Sequence, residues 1–405
     1  MQMSCSSSSA WAELCWQEGD APRSALWRAD AGLPRRVEVV DDSLSADQAF
    51  RLASEGTALL WRGDFQNARQ LLLALGRRWE KRQSTASKRR SKAGQSLQFP
   101  HGFHLYRQAQ AQRARLLGSL LIELDQHWHC SLRRAPDWSQ ACQQAFGVLP
   151  GKPVVMSLRD LLGALGASEW RKKGVELSLP DLPAMRIHPH YGVFSPVRGE
   201  YLELVARAAL PRAALLEADQ GQARVWDIGV GTGVLTALLL RRGVPRVVAT
   251  DLSDQALACA EDNLQRLGLG ERASLLKTDL FPEGRAALIV CNPPWLPGKP
   301  GSRLEQAVYD EGSRMLRGFL QGLGTHLLPD GQAWLIVSDL AEHLCLRTRE
   351  ELLGWISDAG LQVLGRDDIR PRHGKAADES DPLHKARAAE LTSLWRLGLA
   401  QSAQA

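Results

Sequence analysis

The sequence predicts an α/β, Rossmann-like domain of seven strands over residues 185–400, preceded by a mainly helical domain over 43–184 and an N-terminal tail over 1–42. Three observations predict this. From Met185 onward, short apolar runs alternate with helical stretches, as in a mostly parallel sheet covered by helices. One of those runs ends in a glycine-rich turn, Gly229-Val230-Gly231-Thr232-Gly233. Before Met185, apolar residues recur at helical spacing with no such turn.

In the first half, Asp47–Leu60, Asp64–Trp79 and Tyr106–Leu124 carry the helical pattern. Between them lies a basic run, Arg77–Lys92, with eight Lys or Arg and one Glu. Its Ser-, Lys- and Arg-rich second half is expected to be a flexible loop, either a solvated linker or a contact for RNA through Arg77, Arg78, Lys81, Arg82, Lys88, Arg89, Arg90 and Lys92. In the second half the strand candidates are Arg224–Ile228, Val247–Thr250, Ser274–Lys277, Ala287–Cys291, Gln332–Val337, Leu361–Leu364 and Leu391–Leu397. Helices are expected at Gly233–Arg242, Asp254–Leu267, Leu304–Leu327 and Arg347–Ala359. No helical stretch is clearly placed between the last two strands, so the sheet should end in an antiparallel strand.

Of 405 residues, 44% are hydrophobic and 23% charged, which excludes a collagen, a low-complexity chain and a small disulfide scaffold. No apolar run approaches the roughly 20 residues needed to span a bilayer. Met1–Trp16 lacks a basic start and an unbroken apolar stretch, so neither a signal nor a transit peptide is expected. Seven scattered cysteines without a CxxC read as reduced thiols, hence a cytoplasmic protein. The net charge of +5 is compatible with a nucleic-acid partner and does not demand one.

Four segments carry chemistry. In Val225–Gly233 a strand enters the glycine turn and then a helix; glycines let the backbone approach a ligand closely, and a helix start offers free N–H groups. The third small residue of a dinucleotide fingerprint is Val234 here, and Asp227 before the loop would repel a pyrophosphate. An acidic group there suits a cation such as the ammonium of a methionine moiety, which favours S-adenosylmethionine over NAD. Asp251 ends the next strand, 24 residues after Asp227, where a carboxylate accepts bonds from ribose hydroxyls. Asp279 follows the third strand and can accept from an adenine amino group while Leu280 packs on its ring. Each acid alone could be a turn former or a cap; three at successive strand ends point to a ligand. The fourth segment, Asn292-Pro293-Pro294-Trp295, follows the fourth strand. Its prolines rigidify the loop and remove donors, so the Asn292 side-chain oxygen and the Pro293 carbonyl can accept both hydrogens of a planar NH₂ group while Trp295 stacks on the target.

Together these motifs, over residues 186–400, resemble a class I S-adenosylmethionine-dependent methyltransferase of the branch with an (Asn/Asp)-Pro-Pro-aromatic motif. The resemblance implies a seven-stranded sheet, an enzyme that methylates amide or exocyclic amino nitrogens, and cofactor contacts from Asp227, Gly229, Gly231, Gly233, Asp251, Asp279 and Leu280, with Asn292, Pro293 and Trp295 at the acceptor. Two subfamilies compete. Asn292–Pro297 and the Pro196–Val205 stretch are similar to segments of release-factor and ribosomal-protein glutamine N5-methyltransferases, although Pro196 and Arg198 are spaced one residue apart and the usual Thr is missing. Gly192-Val193-Phe194-Ser195, the size of the N-terminal half and its basic run are similar to ribosomal RNA guanine N2-methyltransferases. Glutamine is narrowly preferred; guanine N2 or adenine N6 of ribosomal RNA, or a non-catalytic RNA-binding module with a vestigial pocket, stay open.

Other constellations have blander readings. His127-Trp128-His129-Cys130 has no second ligand cluster and reads as structural, so no metal is expected. His188–Tyr191 precedes the cofactor domain without an assigned role, and Cys291 reads as core. Arg366–Glu390 holds 12 charged residues among 25 and is expected to be a surface loop with a short helix near Leu383–Glu390, serving as a lid or a spacer.

Overall fold

The computed structural model describes residues 11–29, 32–92, 98–147, 149–196, 199–216, 224–302, 304–372, 378 and 381–400. The chain divides into two units, one formed by residues 1–98 and 104–169 and the other by 99–103 and 170–405.

The first unit is built on a sheet that the helical reading did not contain. Its strands are β1 (Glu13–Glu18), β2 (Ala21–Trp27), β3 (Arg36–Val40), β4 (Thr57–Trp61), β5 (Leu120–Leu124) and β6 (Val154–Ser157), in the order β1-β2-β6-β5-β4-β3. Helices α1 (Ala46–Ser54), α2 (Phe65–Lys92), α3 (His101–Leu117), α4 (Ser139–Phe146) and α5 (Leu158–Lys173) complete the element list. Helical residues are indeed in the majority between 43 and 184. The correction concerns what they cover: residues 57–61 and 120–124 are strands, not helix ends, and residues 13–27 are a β-hairpin, not a tail. The physical reason is burial on both faces. Leu59, Trp61, Leu120, Ile122, Val154 and Met156 enter one core, while Ala58, Leu60, Leu121 and Val155 enter the other. A strand buried on both sides reads as an unbroken apolar run, which helical periodicity absorbs.

The basic run also differs from expectation. It is the second half of α2, helical through Lys92. Arg, Lys, Gln, Glu and Ala are strong helix formers, and neither Gly nor Pro interrupts residues 77–92. The side chains of Lys88, Arg90 and Lys92 lie outside the described residues.

The second unit opens with a short antiparallel pair, β7 (Val175–Leu177) and β8 (Met185–Ile187), followed by α6 (Glu200–Arg207). The main elements are then β9 (Val225–Ile228), α7 (Val234–Arg241), β10 (Val247–Asp251), α8 (Asp254–Arg266), β11 (Ala273–Lys277) and β12 (Ala286–Cys291). After β13 (Leu296–Pro297) and β14 (Tyr309–Asp310) come α9 (Arg314–His326), β15 (Leu327–Ser338), α10 (Leu340–His343), α11 (Arg349–Asp358), β16 (Leu361–Ile369), α12 (His384–Ala389) and β17 (Thr392–Leu399). The seven-stranded sheet runs β11-β10-β9-β12-β15-β17-β16, parallel except for β17, which is antiparallel to both neighbours. The chain leaves β9 toward β11, then returns to β12 on the other side, so the strand order reverses between β9 and β12. Ligands of open α/β sheets bind beyond the carboxyl ends at that reversal.

Residues of alternate parity fill the two faces: Leu288, Val290, Trp334 and Ile336 on one, Ile289, Cys291, Ala333 and Leu335 on the other. The helix expected at 304–327 is broken. Gly312 and Ser313 have φ of +65° and +55°, and the Asp310 carboxylate accepts the amides of Met315 (3.0 Å) and Leu316 (3.1 Å), starting α9 afresh. The segment 366–390 is less loop-like than expected. Arg366–Ile369 belong to β16, Leu383 and Ala386 are buried, and α12 occupies the place of the expected short helix. Residues 373–377 and 379–380 lie outside the described residues. No helix is long and apolar enough to cross a membrane among the described residues.

Candidate active site

The β9–α7 turn is the tightest part of the site. Gly229, Gly231 and Gly233 have φ of +80°, +52° and +79°, a region that side-chain-bearing residues resist. The Gly229 and Val230 amides donate to the Thr250 carbonyl at 2.9 and 2.8 Å, tying the loop to β10. A Cβ on Gly233 would lie 3.1 Å from the Ala260 Cα, so this glycine lets the start of α7 press against α8. A Cβ on Gly231 would meet nothing within 4 Å; the backbone there faces open space.

Asp227 is fully buried at the end of β9. Its Oδ2 accepts from the Thr236 hydroxyl at 2.6 Å, and the Thr236 amide also bonds this carboxylate. Its Oδ1 is buried without a hydrogen-bond partner among the described residues. Burial pushes the Asp227 pKa up to about 6, the Thr236 bonds oppose this, and the charge of Asp251 adds to it. A buried carboxylate oxygen left unpaired is costly, and a cationic or hydroxylic ligand group offsets that cost. The site therefore fits the ammonium-bearing cofactor that the sequence motifs imply.

Asp251 ends β10, half-buried. Its Oδ1 accepts the Ser253 amide at 2.9 Å and its Oδ2 the Gly231 amide at 3.1 Å, while burial raises its pKa. Each oxygen keeps a second lone pair for a ribose hydroxyl. Thus Asp251 also braces the glycine loop, a role the sequence spacing did not suggest. Asp279, by contrast, is exposed and ion-paired with Arg314 at 3.1 Å. Leu280 beside it takes a left-handed φ of +65°, held by a bond from the Thr250 hydroxyl to its carbonyl at 2.6 Å.

β9 and β12 pair with Asp227 opposite Val290, so the period-two alternation puts Asn292 on the face that Asp227 shares. The loop after Asn292 is pinned where β13 pairs with β14. The Asn292 Oδ1 accepts from the Trp295 indole N–H at 2.9 Å. Trp295, expected to stack on a flat target, lies half-buried against both cores of the unit. Pro293 is buried beside it. The residue that sequence reasoning missed is Tyr201 on α6. Its side chain is buried, hydrogen-bonded to Asn292, and close enough to Asp227 for that charge, together with burial, to raise its pKa. The signal was present in the amphipathic pattern of Glu200–Arg207, which turns Tyr201, Leu202, Leu204 and Val205 inward.

Three other residue groups stay outside the site. His127 and His129 lie in a turn whose amides both bond Asp125. His190 bonds Asp262 at 3.0 Å, and His188 bonds the Arg171 carbonyl, so this segment is a strap to α8. Burial opposes it, yet bonds from His190, Arg266 and Arg171 hold Asp262 down at about 2. The Cys291 thiol is pushed far up by burial, which removes it as a nucleophile. Among the described residues no group of three or more His, Cys, Asp or Glu could hold a metal ion. Arg198 lies outside the described residues.

Strand order, glycine turn and the Asn-Pro-Pro loop together define the class I methyltransferase fold. Residues 185–342 match the family described as "Methyltransferase small domain". The chain is 34% identical over 128 residues to a release factor glutamine methyltransferase of Cereibacter sphaeroides, covering 28% of this chain and 46% of that one. It is 38% identical over 135 residues to the enzyme of that description from Bordetella pertussis, covering 29% and 48%. Over 70 residues it is 39% identical to a ribosomal protein L11 methyltransferase of Pelotomaculum thermopropionicum, covering 17% and 23%. The chain thus spans half or less of the length of these curated relatives.

Proposed function

We propose that the chain is an S-adenosylmethionine-dependent N-methyltransferase whose acceptor is the side-chain amide of a protein glutamine. The observation that carries this reading is the placement of Asn292 two residues beyond the β9–β12 pairing of Asp227, with Tyr201 beside both. Bound S-adenosylmethionine supplies an electrophilic methyl group on a sulfonium. Asp227 holds the ammonium end, Asp251 the ribose, and Asp279 with Leu280 the adenine. Asn292 Oδ1 and the Pro293 carbonyl accept the two hydrogens of the acceptor NH₂ and aim its lone pair. No residue has to remove a proton before the attack, so alignment supplies the rate enhancement. Trp295 must leave the Asn292 oxygen, or share it, when the acceptor enters. The N-terminal unit serves substrate recognition, and the protein acts in the cytoplasm. Glutamine is favoured by the relatives, named as release factor glutamine methyltransferases, and by the Asn292–Pro297 segment. The basic face of α2 favours a second reading, a ribosomal RNA base amine. The test is incubation of the pure protein with a labelled methyl donor and separate release factors, ribosomal proteins and ribosomal RNA. Label in a glutamine peptide supports the first reading, label in RNA the second, and label in neither, with no cofactor binding, the vestigial module.

A further inference from the structure

We propose that α2 and α1 form an RNA-binding groove in which a row of arginines tracks the phosphate backbone. The inference is independent of which acceptor the C-terminal unit methylates. The first half of α2 is anchored by Leu71, Leu75 and Trp79, which enter the core of the first unit at four-residue spacing. Beyond Trp79 the helix continues to Lys92, yet none of its described residues there is buried. This exposed half faces a cavity of about 900 Å³, lined by Asp47 and Phe50 of α1 and by Arg77, Arg78, Lys81, Arg82, Thr85, Ala86 and Arg89 of α2. Five cations thus meet one carboxylate. Asp47 accepts from Arg78 Nε at 2.8 Å, whereas Arg77, Lys81, Arg82 and Arg89 have no carboxylate partner among the described residues.

Like charges one turn apart, Arg77 with Lys81 and Arg78 with Arg82, oppose the helix. A bound polyanion removes that repulsion. At about 1.5 Å per residue the row from Arg77 to Arg89 is roughly 18 Å long, enough to follow several successive phosphates of one strand. An acidic protein partner is the poorer fit, because interfaces between proteins rest on buried apolar or aromatic anchors and Phe50 is the one large apolar side chain in the lining. Arginine also outnumbers lysine here, and its planar fork matches phosphate oxygens.

The test is fluorescence polarisation of the full chain with a labelled single-stranded RNA 20-mer, titrated at several salt concentrations. With about four phosphate contacts, the slope of log affinity against log salt should be near −3. The double variant Arg82→Glu/Arg89→Glu should bind at least about 10-fold more weakly with a flatter slope. Its melting temperature and its calorimetric affinity for S-adenosylmethionine should be unchanged. If charge reversal unfolds the helix, Arg82→Gln/Arg89→Gln serves instead, with a smaller loss in the same direction. A slope near zero, or variants that bind RNA as tightly as the parent, overturns the proposal. Competition by polyglutamate as strong as by unlabelled RNA also overturns it and makes the groove a face for acidic protein.

Discussion

Two strand-to-helix turns in this molecule use similar residues and end differently. In the first unit β4 runs through Arg62-Gly63-Asp64 into α2; in the second, β9 runs through the glycine turn into α7. At the first turn the charged side chains, Arg62 and Asp64, both find partners. Asp64 takes both arms of Arg134 at 2.7 Å, its amide donates to Asp42, and the Arg134 guanidinium holds its carboxyl below the usual range. A Cβ on Gly63 would lie 2.6 Å from Asp42, so that loop is closed by its own chain. At the second turn Asp227 keeps an unpaired oxygen and Gly231 faces open space. The difference teaches that a functional turn is recognised less by its glycines than by polar groups the chain leaves unsatisfied.

That contrast can be broken or sharpened by substitution. The largest expected effect is at the acceptor side of the open turn. Asn292→Ala should cut turnover by about 100-fold or more, by analogy with losing a positioned polar group in a preorganised site. Cofactor affinity measured by calorimetry should barely move, and wild-type turnover would remove the motif from the acceptor clamp. Asp251→Ala should weaken cofactor binding by about 1–3 kcal/mol through lost ribose bonds. Because it also frees the Gly231 amide, protease susceptibility of the loop should rise in the same variant; unchanged affinity would take Asp251 out of the site. Tyr201→Phe keeps the packing and removes one hydroxyl. We expect kcat to fall about 10-fold with the cofactor affinity unchanged, since Tyr201 positions Asn292; a fall confined to cofactor affinity would place the hydroxyl on the cofactor instead. The smallest functional effect belongs to the closed turn. Asp64→Asn should lower the melting temperature by losing the Arg134 fork, yet leave S-adenosylmethionine affinity as it was.

The sheet of the second unit was readable because each strand is short, apolar and bounded by a turn. Its strand starts fall within a residue of expectation except for β15, whose first half, Leu327–Gly331, carries Pro329 and Asp330 and resembles a loop. The sheet of the first unit was hidden for the opposite reason. Thr57–Trp61 and Leu120–Leu124 follow helices with Gly56 and Gly118 as the principal breaks, and strands with all five residues buried, or four of five, carry no period. β1 does alternate, with Leu14 and Trp16 inward, but a six-residue pattern near a chain end is weak evidence alone. Among site residues, Asp227, Asp251 and Asn292 were legible because strand ends and glycine spacing mark them. The role of Tyr201 was not, because the amphipathic pattern turns it inward without showing that it meets Asn292, 91 residues on. Asp279 shows the converse, since its pairing with Arg314, 35 residues on, has no local signal.

The account turns on the buried, half-satisfied carboxylate of Asp227. Its native pKa of about 6 lies above the ordinary 3.8, so the folded state binds more protons than the unfolded one between these values. The contribution of Asp227 to stability should therefore fall as pH rises from about 4 to about 6 and then level off, read as the difference between the parent and Asp227→Asn. The most direct measurement pairs melting curves with calorimetric titration of S-adenosylmethionine at pH 7.5, on the parent protein and on Asp227→Asn. The account predicts that the parent binds with micromolar affinity and is stabilised by the ligand. The variant should be more stable than the parent without ligand, by up to about 3 kcal/mol from removal of the buried charge, and should bind at least about 10-fold more weakly. A variant that binds as tightly as the parent, or a parent that does not bind at all, would contradict it.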